Sequence, residues 1–379
     1  MDEPFNLKPS RSRLTSLDAL RGFAMFWIIG ARDIANGLIG LGIPRAGALA
    51  DQLTHSEWNG FHFYDLIFPM FIYVVGASLV FGIRRRQERA EDRRAILRQV
   101  LKRTILLFLL GIFYNGGVSQ PDLVSNLRVM GVLQRIALVY FFASVLVLTT
   151  SIRTQAASAV GLLVAYWLVM RLVPVPGFGA GVWTPEGNLV KYIDMHLLPG
   201  QLYWDTWDPE GILSTAPAIA TGLLGVLTGH WLRADKGPRG ETLTKGTRAS
   251  YLFLAGVAGA SLGLLAGLVF PINKSLWTSS FVLLTGGLSA ALLAVFYWLI
   301  EVRGRGRWAF PLVVIGLNSI AIYLGVNVIP FDEITRRLVG GDISAMFGPG
   351  RAFFEAIFQF LIEWLALLWM FRRKIFIRL

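Results

Sequence analysis

The stretch HSEWNGFHFYDLIFP at 55–69 holds the residues best suited to proton transfer. An imidazole titrates near neutrality, so His55 is the strongest general-base candidate in the chain. Asp65 can orient such a ring or pair with an arginine, and Asn59 can donate to a developing oxyanion. The competing reading makes His55 an ordinary polar loop residue; Trp58, Asn59 and Asp65 beside it count against that. In SLDALRG at 16–22, Asp18 and Arg21 share one helical face. They either neutralise each other or leave Arg21 to meet an anionic cofactor. GVLQRIA at 131–137 puts Gln134 and Arg135 inside an apolar run, where both need partners. Arg135 either pairs with Asp65 or Asp33 or holds a phosphate or carboxylate. Arg32 and Asp33 lie near one end of the first apolar stretch and pair or line a cavity. Asp208 and Glu210 precede another apolar run, where carboxylates complement a helix dipole or bind a sugar hydroxyl or ammonium. Asn318, followed by Ser319 in GLNSIAIY, either steadies an oxyanion or bridges two helices. The chain has no cysteine, which excludes thiolate chemistry and disulfides. Metal binding would fall to four histidines and the carboxylates, and no metal site is expected.

These residues must be positioned by elements made for a bilayer. Of 379 residues, 54% are hydrophobic and 16% charged, against about 25% charged in soluble domains. Runs long enough to span a membrane lie near 16–40, 61–83, 101–117, 130–150, 156–175, 211–232, 249–270, 278–300, 309–329 and 353–371. The expected fold is an all-α polytopic membrane protein of about ten transmembrane helices, forming a single domain over 1–379. An even number of spans puts both termini on one side. Of the 36 Lys and Arg, 26 fall in the N-terminal stretch through Arg21, 84–103, Arg153, 233–248, 303–307 and the tail. The positive-inside rule makes that side, and both termini, cytoplasmic. This explains the net charge of +12 better than nucleic-acid binding does. Residues 1–15 form a short cytoplasmic segment, and 174–210 a long extracytoplasmic loop. That loop holds Trp183, Trp204 and Trp207 with Asp194, Asp205 and Asp208, a mixture favouring an interfacial cap over a sugar-stacking platform. The sequence carries no visible internal repeat of the kind that marks many transporters.

Taken in order, SLDALRG at 16–22, HSEWNGFHFYDLIFP at 55–69, GVLQRIA at 131–137, WDPEGILSTAPAI at 207–219 and GLNSIAIY at 316–323 resemble the heparan-alpha-glucosaminide N-acetyltransferase family, within the wider group of transmembrane acyltransferases. No one motif is decisive; the ordered set is specific. The resemblance implies transfer of acetyl from cytoplasmic acetyl-CoA to the amine of a glucosamine unit across the membrane, with the histidine at 55 essential. On that reading His55, Asn59, Asp65 and Asn318 serve catalysis. Arg21, Gln134, Arg135 and Ser319, with the arginines of 84–103, serve the donor, although that basic loop also suits a topology determinant or anionic-lipid anchor. Asp33, Trp58, Asp208 and Glu210 serve the acceptor. Arg32 and Asp33 stand where lysosomal members carry an asparagine, so a bacterial inner-membrane relative acting on glucosamine, an amino-sugar oligomer or a cell-wall glycan is expected. Its partners are then the acceptor, acetyl-CoA and membrane lipids, with a homodimer allowed. Direct transfer and an acetyl-histidine intermediate both remain open. So do O-acylation of a surface glycan and, from a different class, a secondary transporter or flippase using His55, Asp65, Arg135 and Asp208 as its path.

Overall fold

The computed structural model describes residues 14–42, 44–116, 126–204, 206–237 and 240–377. The N-terminal segment up to residue 13, Gly117 and Asp205 lie outside the described residues. Helices dominate: α1 Thr15–Gly40, α2 Pro44–Gln52, α3 Ile67–Glu88, α4 Arg93–Asn115, α5 Val132–Thr149, α6 Ile152–Leu172, α7 Leu189–Leu197 and α8 Ile212–Arg233. There follow α9 Lys245–Ala266, α10 Ser279–Tyr297, α11 Phe310–Leu317, α12 Ser319–Val328, α13 Phe331–Val339, α14 Asp342–Ala345 and α15 Arg351–Arg372. A single 3₁₀ turn, Phe63–Leu66, leads into α3, and β1 Pro174–Val175 pairs antiparallel with β2 Gly179–Ala180.

Each expected span meets a helix, and the differences have physical causes. Among the described residues, seven helices are long and apolar enough to cross a membrane, eight if the bent pair α11–α12 is one span. α1 falls outside that set because Asp18, Arg21, Arg32 and Asp33 dilute its apolar run; α4 does so because its first turns carry Arg93, Arg94, Arg98, Lys102 and Arg103. The span expected at 309–329 is broken at Asn318, where the axis bends by 62°. Asn318 itself has φ −125° and ψ 32°, outside the helical well. The 174–210 loop is ordered by the β1–β2 hairpin and α7 rather than left irregular.

Lipid tails are as apolar as leucine, so helices associate in a membrane chiefly by close packing at small residues. Gly22 on α1 faces the Leu312 carbonyl of α11, and Gly316 faces the Asp18 carbonyl in return, so a side chain on either would strike backbone. This mutual approach holds Asp18 and Arg21 against the α11–α12 break. The same device joins α3 to α8 through Gly76, Gly222 and Gly225. Gly316→Val is therefore expected to cost about 1–3 kcal/mol or more through forced overpacking. It should appear as a lowered melting temperature of the purified protein. Gly161→Ala, where a Cβ meets nothing within 4 Å, should leave the melt unchanged or slightly raised.

Candidate active site

The turn Phe63–Leu66 places Asp65 just ahead of α3, fully buried. Its carboxylate accepts from the backbone N–H of His62 (2.9 Å) and of Ser56 (3.3 Å) and meets Nδ1 of His55 at 2.8 Å. An ionised carboxylate only accepts, so Nδ1 carries the proton and Nε2 presents a lone pair. That lone pair faces Nζ of Lys274 at 2.7 Å. Tyr64 stacks on the imidazole with ring centres 4.6 Å apart, fixing its plane. The His55 side chain keeps 46% of its surface accessible, so a substrate can reach it. Surrounding protein lowers the imidazole pKa; the Asp65 hydrogen bond opposes this and the Lys274 charge adds to it. Burial likewise brings the Lys274 ammonium down to about 8, with Glu210 and Asp65 pulling the other way and Arg135 assisting.

Lys274 is carried by the short connection between α9 and α10. There Asn273 is buried, accepts from Leu276 N at 2.8 Å and donates to Oδ1 of Asn59 at 3.1 Å. Asn59 thus ties the His55 loop to the Lys274 loop. Around them lies a second charged group. Arg128 donates to both oxygens of Asp208 (2.6 and 2.8 Å) and to Glu210 (2.8 Å), beneath the ring of Tyr203. Burial raises the Glu210 pKa and Asp208 adds to it, opposed by Arg135, Arg128 and Lys274. Neither Asp208 nor Glu210 caps α8. That part falls to Asp194, which accepts from Ile212 N at 3.1 Å and is raised by burial to about 7.

Along α3 runs a cavity of about 300 Å³. Arg86 and Arg103 line one end of it and Phe68 the other. Phe68 and Arg86 sit near opposite ends of α3, about 27 Å apart at 1.5 Å per residue. The walls between are mostly apolar, including Phe71, Val75, Leu107 and Ile136. Arg21 lines the basic half, donating to Ser78 at 2.5 Å and to Asp18 at 3.3 Å. Arg103 lies over Tyr140, and its buried Nε has no hydrogen-bond partner among the described residues. Phe68, at the opposite end, is three residues from Asp65.

The structure thus brings together His55, Asn59 and Asp65, and it brings Arg21 and Ser319 to the cavity. Other candidates stand elsewhere. Arg135 pairs with neither Asp65 nor Asp33: it is fully buried, donates to Ser214 at 2.5 Å and lies over Trp277, on the face of α5 away from the cavity lining. The α5 turn that points Val132, Leu133 and Ile136 into the cavity turns Arg135 towards α8. Gln134 is packed against Gly111 of α4 rather than lining the cavity. Asn318 is no neighbour of His55; its amide holds Ile375 and Ile377. Asp33 faces the charges of Arg32, Asp332 and Glu363, not the His55 group. Trp58 donates to the Trp183 carbonyl at 2.8 Å and packs edge-on against Trp207, which makes it part of the cap over this end. Sequence reasoning missed Lys274 and Arg128. One signal was available for both: each is an isolated cation in a loop assigned to the cation-poor side of the membrane.

A family model described as a domain of unknown function, DUF5009, matches residues 13–175. Heparan-alpha-glucosaminide N-acetyltransferase of Homo sapiens is 28% identical over 367 residues, covering 83% of this chain and 53% of that protein. The Mus musculus protein of the same name is 27% identical over 375 residues, covering 86% and 55%. The chain spans about half the length of the curated relatives it matches. This chain is thus similar to heparan-alpha-glucosaminide N-acetyltransferases over more than four fifths of its length.

Proposed function

We propose that this protein is a membrane N-acetyltransferase that moves acetyl from acetyl-CoA to the amine of a glucosamine-type sugar, with His55 as general base. One observation carries the reading: a cavity, basic at one end and apolar along its length, follows α3 from Arg86 to Phe68, and Phe68 lies three residues from the Asp65 that holds His55. Acetyl-CoA has the matching shape, with phosphates at one end and a thioester at the end of a long thin arm. Arg21, Arg86 and Arg103 would receive the phosphates through charge-assisted hydrogen bonds. The arm would lie along the apolar wall and bring the thioester towards His55.

The neutral amine of the acceptor attacks the thioester carbonyl carbon; the carbon–nitrogen bond forms, the carbon–sulfur bond breaks, and the amine proton passes to Nε2 of His55. CoA leaves as the thiolate and takes up a proton. To accept from the amine, Nε2 must first release Lys274, whose ammonium is then beside the developing oxyanion. Asp65 holds the ring in the required tautomer and steadies the imidazolium. Asp208 and Glu210, with Arg128, offer polar partners to the sugar hydroxyls. A reconstituted preparation given acetyl-CoA and glucosamine should release free CoA and N-acetylglucosamine. Movement of the sugar across the bilayer with no CoA release would overturn the reading in favour of a transporter.

Arg21→Ala and Arg103→Ala are each expected to raise the apparent KM for acetyl-CoA roughly 10- to 100-fold, the range for losing a charge-assisted hydrogen bond. The KM for the sugar should stay constant. Arg135→Ala is the contrast, since Arg135 does not line the cavity; steady-state kinetics should leave its acetyl-CoA KM near wild type.

The ten-span arrangement with cytoplasmic termini puts the Arg86 end of the cavity inside and His55 outside, as a cytoplasmic donor and an external acceptor require. The absence of cysteine makes this directly testable. Single cysteines replacing exposed Glu57 and exposed Thr154 should react with an impermeant maleimide from opposite faces of the membrane. Labelling from one face only would refute the arrangement.

A further inference from the structure

The break at Asn318 has a partner that its sequence neighbourhood does not contain. Helix α15 ends with Lys374 in the left-handed region at φ 57°. Lys374 N donates to Phe371 O at 3.0 Å and Ile375 N to Met370 O at 2.9 Å, the two bonds of a Schellman motif. That reversal sends residues 375–377 back along the bundle to Asn318. The buried Asn318 amide then donates from Nδ2 to Ile375 O at 3.0 Å and accepts at Oδ1 from Ile377 N at 3.0 Å. One side chain thus supplies the donor and acceptor that a neighbouring strand would offer to alternate peptide groups. Ile377, held in this way, lines the same cavity as Arg21, Gly316, Leu317 and Ser319.

We infer that Asn318 is a positioning residue for the donor: by pinning 375–377 it makes Ile377 one wall of the cavity, and this wall gives way when the donor passes in or out. The segment suits such a part. The Asn318 amide holds it by two side-chain hydrogen bonds and Phe376 packs edge-on against Phe371 at 6.2 Å, while Ile375 and Ile377 remain 40% and 46% exposed. Other walls belong to α1, α3 and α4, long helices of which α1 and α3 are buried over about half their residues. This inference rests on the cavity being the acetyl-CoA site.

Ile377→Cys supplies the only thiol in the chain, and its maleimide labelling rate reports access to this wall. Desulfo-CoA, which has neither an acetyl group nor a thiol, should slow that labelling in proportion to its occupancy. Asn318→Ala should speed the labelling and raise the KM for acetyl-CoA roughly 3- to 10-fold, as the loss of two ordinary hydrogen bonds suggests. The kcat and the KM for the sugar should not move. Asn318→Asp keeps the acceptor for Ile377 N and should fall between. If desulfo-CoA binds the Ile377→Cys protein by calorimetry yet its labelling rate is unchanged, the wall assignment is wrong and the donor reading stands. Should desulfo-CoA fail to bind the wild-type protein, the donor reading falls and the wall with it. The labelling arm needs no change at Asn318, so it decides the matter even where Asn318→Ala fails to fold.

Discussion

Replacing His55 with alanine is expected to lower the rate of acetyl transfer roughly 10²- to 10⁴-fold, the usual effect of removing a positioned general base, while the protein still inserts and folds. The fold tolerates the loss because the ring is half exposed and touches few core residues. Asp65, left without Nδ1, keeps the backbone N–H groups of His62 and Ser56 as partners. Asparagine at 55 can hydrogen-bond Asp65 but takes no proton at neutral pH, so it should be almost as inactive as alanine. His62→Ala should be far milder. Its ring meets the Thr54 carbonyl at 3.2 Å, and the N–H that it gives the Asp65 carboxylate is a backbone one, which alanine retains. The measurement is CoA release at saturating acetyl-CoA and amino sugar, on protein whose melting temperature matches wild type. A folded His55→Ala protein that keeps most of the wild-type rate removes His55 from the chemistry.

Helix positions were legible because apolar runs of spanning length leave a strong signal in composition. Helix starts were less so. α4 begins at Arg93, ahead of the expected 101, because arginine, leucine and glutamine are good helix formers that hydropathy does not credit. The break at Asn318 left no signal, because the one proline of that run, Pro311, sits in the first turn of α11 and away from the break; there Gly316 presses on Asp18 and the amide is taken by Ile375 and Ile377. Proximity in sequence indicated Asp65 as a partner for His55, since both lie in one short loop. The partner of Arg135 was not legible because a sequence names a buried charge without naming the helix face that carries it. Lys274 and Arg128 reach the site from distant loops, Lys274 lying 219 residues from His55; the α9–α10 connection, bonded to Asn59 and Gly60 through Asn273 and Ile272, brings Lys274 there. The three tryptophans of the outer loop were likewise inseparable by type. Trp183 and Trp207 are packed within the cap while Trp204 stays 58% exposed.

Lys274→Met is expected to reduce kcat roughly 10²- to 10³-fold, the range for deleting one oxyanion donor, and to change the pH profile at both ends. Burial brings the Lys274 ammonium to about 8. If its charged form is the one that serves the oxyanion, wild-type activity falls as pH rises through about 8. The acceptor amine has the opposite sign, since deprotonation makes it a nucleophile, so a loss at alkaline pH belongs to the enzyme and not to the sugar. In Lys274→Met that alkaline limb should vanish. In Lys274→Arg, which stays charged throughout, it should move out of range even if the rate is reduced. The acid limb reports His55, whose pKa the Lys274 charge helps to lower. Removing that charge raises the imidazole pKa, so the free base forms only at higher pH and the acid limb moves up. Full pH–rate profiles of kcat for the three proteins test both ends together. An alkaline limb unchanged in Lys274→Arg and Lys274→Met would show that Lys274 takes no part in the reaction, whatever its distance from Nε2.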